Sequence, residues 1–164
     1  MALRLIILTA LFFIGTPSYA NVCERTKEVV GKITNILNKK CDQISPSDLG
    51  KIRRFSLEHQ EIKMLKEGDF DGFSQLEDLD LHRNKLSEIP SGLFKDLTTL
   101  RWVRLDQNQL RQLPLELFQN LYSLQTLNVS RNPMSLAEKQ RIQSEVFSPL
   151  TKVYFKFRSE GLNH

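Results

Sequence analysis

Between Leu76 and Pro133 the apolar positions recur on a fixed spacing: LEDLDLHRNKLSEIPSGLFKDLTT, then LRWVRLDQNQLRQLPLELFQNLYS, then LQTLNVSRNP. Leu76, Leu100 and Leu124 lie 24 residues apart, and each is followed by an apolar residue three and five positions on and by Asn eight positions on. A repeat of this period predicts a solenoid, because a unit this short buries its apolar side only by stacking on its neighbours. Within each copy, Leu79-x-Leu81 alternates with period two, which predicts a short strand with leucines inward and Asp78, Asp80 and His82 outward. Asn84, Asn108 and Asn132 fall where the chain must then turn, and a buried amide there can bond the backbone of its own turn and of the next one. Pro90 and Pro114 fix φ in the return segment. Phe70, Phe94 and Phe118 predict a column of core rings on the far side.

The pattern reaches further back than its most regular stretch. Ile52, Phe55 and Leu57 occupy the places of Leu76, Leu79 and Leu81, while Gln60 replaces the Asn and Lys66 the Pro. Departures of this kind are expected of a terminal repeat. Upstream, Val29, Val30, Ile33, Ile36 and Leu37 recur at helical spacing, predicting a helix from Thr26, its cap, to Asn38, with Lys27, Lys32 and Lys39 on the outer face. Ser45 before Pro46 predicts a second helix start. Downstream, the sequence from Ser135 to Glu138 forms a capping box for a helix to about Phe147, with Ile142 and Val146 facing the coil above. Lys152 to Phe157 alternates as a fifth strand, with Val153 and Phe155 inward, and Arg158 to His164 is expected to fray.

Compartment follows from the first residues and the cysteines. Arg4, the apolar run Leu5–Gly15 and Ser18-Tyr19-Ala20 make a cleavable export signal, too short to span a bilayer. Val22 stands where a lipoprotein signal needs a small residue, which disfavours a lipid anchor on Cys23. No later segment is apolar enough to span a membrane, so an exported, periplasmic or extracellular protein is expected. Only two cysteines are present, Cys23 and Cys41, and in an oxidising compartment they read as one disulfide; their spacing does not suit a C-x-x-C redox or metal site. Of the 23 Lys and Arg, Arg4 leaves with the signal, against 19 Asp and Glu. The mildly basic, interspersed charge carries no stripe with stacking aromatics, so no nucleic-acid partner is expected.

The pattern LxxLxLxxNxLxxLPxxxFxxLxx, running from Ile52 to Met134, resembles leucine-rich repeat proteins of the 24-residue extracellular class. The resemblance implies an α/β fold: a curved solenoid whose concave side is a parallel sheet of about four to five strands, and which usually binds proteins there. Animal members typically carry a four-cysteine N-terminal cap and a cysteine-rich C-terminal one. With two cysteines and none, this chain is more similar to small exported bacterial leucine-rich repeat proteins. The expected organisation is a signal peptide over 1–20, a helical N-terminal cap over 21–51, repeats over 52–134, a helix–strand C-terminal cap over 135–157 and a flexible tail over 158–164.

The register also names the outward residues. One row across the strands reads Ser56, Asp80, Arg104, Asn128, Tyr154; another reads Glu58, His82, Asp106, Ser130; Arg54 and Trp102 flank them. Asp80 is expected to pair with Arg104. His82, set between Glu58 and Asp106, is expected to favour its protonated form. Trp102, the sole Trp, takes an outward slot and is the expected hot spot, unless its ring only lies on a stacked Arg104 or Arg54. The partner-binding set is therefore Trp102, Arg104, Asp80, His82, Asp106, Arg54, Asn128 and Tyr154. The Glu58–His82–Asp106 row reads as solvated charge: it is flat, where zinc wants convergent ligands, and it lacks a nucleophile with a base. No catalytic residue, metal or cofactor is assigned. Asn128-Val129-Ser130 matches a glycosylation sequon, poorly placed on a sheet. The expected function is recognition of a protein by a monomer or weakly self-associating module. The alternatives are a structural or self-associating envelope protein, or a protein inhibitor of a secreted enzyme.

Overall fold

The computed structural model describes residues 21–145 and 152–154. The expected export signal over 1–20, Val146, Phe147, Phe155 and the expected tail lie outside the described residues. Five short strands, β1 (Arg54–Ser56), β2 (Asp78–Asp80), β3 (Trp102–Arg104), β4 (Thr126–Asn128) and β5 (Lys152–Tyr154), form one parallel sheet in chain order. Every strand lies one coil beyond its neighbour: Phe55 pairs with Leu79, Leu79 with Val103, Val103 with Leu127, and Leu127 with Val153. This is the solenoid the repeat demands. The central residue of each of the first four strands is fully buried, because alternation sends it inward.

The core is a stack of equivalent positions. Leu76, Leu79, Leu81 and Leu86 are enclosed in one coil, and Leu100, Val103, Leu105 and Leu110 in the next. Phe70 and Phe94 stack on the far side with ring centroids 6.4 Å apart, while Phe55 and Phe73 pack edge-on at 5.0 Å, filling the first coil. Phe118, the last of the expected column, is only half-buried, at the C-terminal end of a 3-10 turn, Leu115–Phe118.

The asparagines do what the turn requires, but in the opposite direction to expectation. Asn108 donates to Leu105 O of its own turn (3.0 Å) and to Leu81 O of the preceding coil (3.0 Å), and accepts from Leu86 N, also in that preceding coil (3.1 Å). Asn84 and Asn132 repeat this pattern. The residue before each of them, Arg83, Gln107 and Arg131, has φ near 56°, the left-handed bend that swings the amide back over the finished coil. Gln60, in the first coil, has no coil behind it; its side-chain amide donates to Glu58 O, and its backbone N donates to Asn84 Oδ1 of the next coil. That explains why the Asn is missing there.

The N-terminal cap is held by chemistry the repeat does not announce. Helix α1 (Lys27–Leu37) buries Val29 and Ile33 and leaves Val30 and Leu37 half-covered. Ile36, expected on the same stripe, is 44% exposed. Thr26 stands at the N-cap position, yet its side chain makes no cap bond; Oγ1 donates instead to Asp69 (2.6 Å). Asp69, fully buried, also accepts from Thr26 N and Lys66 N, and Arg25 donates to the carbonyls of Asp69 and Asp71. Cys23 and Cys41 are joined, closing the cap. Ser45 and Asp48 form the capping box that starts α2 (Pro46–Leu49). Bonds from Lys39 and Ser45 hold the Asp48 carboxyl well below the usual carboxylate range.

At the other end α3 (Leu136–Glu145) buries Ile142 against the last coils. Glu138 N donates to Ser135 Oγ (3.1 Å), one half of the expected capping box. The Glu138 carboxylate turns to the solenoid instead, accepting from Leu113 N (3.0 Å) and from Arg141, which itself donates to Leu113 O (2.7 Å). The Glu138–Arg141 pair thus clamps the backbone at Leu113.

Candidate binding face

Strand residues that do not point into the core form the outer, concave face of the sheet. Pairing places Arg54, Asp78, Trp102 and Thr126 in one row, and Ser56, Asp80, Arg104, Asn128 and the backbone of Tyr154 in the next. Backbone bonds continue the ladder past the strands, from His59 N to His82 O, Arg83 N to Asp106 O and Gln107 N to Ser130 O. The rows are therefore those the spacing of 24 requires.

Asp80 is the hub of the face. One carboxylate oxygen accepts from Arg104 Nη1 at 2.9 Å, the expected ion pair. The other accepts from His82 N (3.0 Å) and lies 2.7 Å from His82 Nδ1. His82 does lie between two carboxylates, but they are Asp80 and Glu58, whose Oε2 is 3.4 Å from Nε2. Asp106 turns away, facing Gln107 Nε2 at 3.3 Å and Arg104 Nε at 3.9 Å. The His82 ring, held between Asp80 and Glu58, is only 7% exposed, so the solvated row expected there does not form. Asn128 repeats the Asp80 geometry, accepting from Ser130 N and Oγ. In the flanking row, burial and the adjacent Asp80 push the Asp78 carboxyl up, against the pull of Arg54 and Arg104.

Trp102 is half-exposed near the middle of the face. The guanidinium over its ring belongs to Arg101, 4.8 Å from the centroid, rather than to Arg104 or Arg54. Arg104 instead donates to Asp80.

Periodicity carried more of this chemistry than the leucines suggest. Arg53–Glu77 (2.6 Å), Glu61–Lys85 (2.8 Å) and Asp71–Lys95 (3.5 Å) are all opposite charges one repeat apart, like Asp80–Arg104. The bond from Lys85 also holds the Glu61 carboxyl low. His59, absent from the residues singled out by the strand alternation, packs edge-on against His82 with centroids 5.6 Å apart and faces Arg83 Nη1 at 2.8 Å. Its signal was the position before the Asn slot, read at the same spacing of 24.

The leucine-rich repeat family model matches residues 50–110 and 74–134, together more than half of the 164 residues. The chain is a leucine-rich repeat protein. A leucine-rich repeat protein of Leptospira interrogans is 30% identical and superposes over 68% of this chain and 28% of its own, with a TM-score of 0.57. The TLR13–ssRNA13 complex matches over 66% of this chain and 15% of that one (26% identity, TM-score 0.58). The Drosophila Toll–Spatzle complex matches over 53% and 12% (25% identity, TM-score 0.50). The chain spans less than a third of the length of each of these relatives. A comparison with curated protein sequences finds no match. The leucine-rich repeat fold is a general protein-interaction module, and no helix among the described residues is long and apolar enough to cross a membrane.

Proposed function

We propose that this leucine-rich repeat protein is an exported recognition module that binds another protein through the concave face of its sheet, with Trp102 near the centre of the contact. The observation that carries the reading is the placement of a half-exposed Trp among Asp78, Asp80, Arg101 and Arg104 on an open sheet face. Aromatic and Arg side chains in such surroundings supply most of the energy in protein interfaces. Arg54 and Asn128 extend the same surface on either side, with His82 and Asp106 buried at its edge. The reading is binding rather than catalysis: the candidate acid–base residue, His82, is engaged by Asp80 and Glu58 on a sheet surface. The Cys23–Cys41 disulfide favours an oxidising compartment, and the apolar leader favours export to the periplasm or beyond.

One relative is in complex with single-stranded RNA and another with a protein, so both chemistries have precedent in this fold. The face favours protein. Arg54 and Arg104 alternate with Asp78, Asp80 and Asp106, whereas RNA demands an uninterrupted positive groove.

Affinity capture from the envelope and the medium of the producing cells tests the reading. Trp102→Ala is expected to keep the unfolding free energy from urea titration within about 1 kcal/mol of wild type, since the ring is not in the core, and to lose the captured partner. Equal recovery by both proteins, or recovery of RNA, would overturn it. Sedimentation that finds a tight dimer broken by the same substitution would identify the partner as a second copy.

A further inference from the structure

We infer that Glu58, His59 and His82 form a binding site for one divalent ion of the zinc class, at the edge of the sheet where the first two coils meet. Each offers a donor atom, and these atoms lie within 4.8 Å of one another. Two imidazoles and a carboxylate are the ligand set of a borderline-soft ion such as Zn²⁺, and are too few oxygens for Ca²⁺ or Mg²⁺.

Three features of the geometry organise this cluster as a site. Asp80 Oδ1, 2.7 Å from His82 Nδ1, fixes the ring so that Nε2 is the free donor, and that atom is turned to Glu58. A carboxylate behind a ligating His orients the ring and raises its basicity. Second, Arg83 Nη1 lies 2.8 Å from His59 Nε2. A guanidinium only donates, so His59 Nε2 presents a lone pair, the form a metal takes. Third, His59 and His82 are tied by their backbones, His59 N donating to His82 O, and His59 sits in a left-handed bend. The two imidazoles are therefore held on neighbouring coils before any ion arrives.

A tetrahedral ion with bonds of about 2.1 Å needs ligand atoms about 3.4 Å apart, close to the His82–Glu58 separation of 3.4 Å. The remaining adjustment falls on Glu58 and His59, both of which are exposed. Arg83 must leave the His59 nitrogen, and it already has a second partner in Gln107 Oε1 at 3.1 Å. The fourth position then opens to solvent. Strand alternation alone did not reveal this site, because it placed Asp106 beside His82 and passed over His59, which lies in the turn.

Titration of Zn²⁺ into the chelator-treated, untagged protein, followed by calorimetry, tests the assignment. One equivalent is expected to bind and to raise the Tm. His59→Gln and Glu58→Gln, both at exposed positions, are expected to keep the fold by circular dichroism and to weaken binding tenfold or more. Arg83→Gln is expected to strengthen it severalfold by removing the competing cation, and His164→Gln is expected to leave it unchanged. Absence of a saturable site in the wild type, or wild-type affinity in both His59→Gln and Glu58→Gln, would overturn the proposal.

Discussion

Asn108 shows how much one side chain carries in this fold. It bonds backbone groups in two coils at once, and removing it leaves Leu86 N without its acceptor, while Leu81 O and Leu105 O keep only their bonds from Asn84 and Asn132. A buried N–H so abandoned costs about 1–3 kcal/mol, so Asn108→Ala is expected to lose roughly 2 kcal/mol in urea unfolding. Gln60→Ala, at the equivalent place in the first coil, removes one exposed bond to Glu58 O and is expected to change stability by less than about 0.5 kcal/mol. Equal losses at the two positions would contradict the direction of the ladder. The Asn positions were legible in the sequence because they recur. Which coil they bond was not, since a spacing of 24 is the same forwards and backwards.

At the scale of elements, the strands and the helices differ in what their sequence announces. β1 to β4 follow from alternation in a repeat, and their register follows from the period. The caps are single copies, so their long-range contacts have no period to reveal them: Thr26 and Glu138 look like local helix caps, yet their side chains reach Asp69 and Leu113. Docking of α3 through Glu138 makes a testable pH dependence. Hydrogen bonds from Arg141 are the main cause that holds the Glu138 carboxyl below its ordinary value of 4.5. A carboxyl depressed in the folded state adds stability above its unfolded pKa and loses it as pH falls through the folded one. Glu138→Gln keeps an acceptor for Leu113 N but not the charge. It is expected to lower stability by about 1 kcal/mol at pH 7, and its deficit against the wild type is expected to shrink as pH drops below about 4. A deficit that stays constant from pH 7 to pH 3, measured by urea midpoints, would show that the charge of Glu138 does not hold α3.

For the whole molecule, the regular features make the frame and the irregular ones face outward. Leucines, asparagines and phenylalanines fill the same slots coil after coil, and their burial leaves nothing for a partner to read. The outward rows change with every strand: Arg54, Asp78, Trp102, Thr126 in one, and Ser56, Asp80, Arg104, Asn128 in the other. The sequence placed these residues on one face, while the Arg101 stack and the turn of His82 onto Asp80 depended on rotamers that no spacing encodes. Recognition of another protein on this face, as proposed, has a direct physical signature: its side chains lose solvent when the partner binds. Oxidative footprinting of the captured complex by mass spectrometry tests it most directly, with Trp102 as reporter of the sheet and Met64 and Tyr122, both exposed outside it, as controls. Strong protection of Trp102 on complex formation, with Met64 and Tyr122 unchanged, is the expected result; protection of Met64 or Tyr122 with Trp102 as reactive as in the free protein would contradict it.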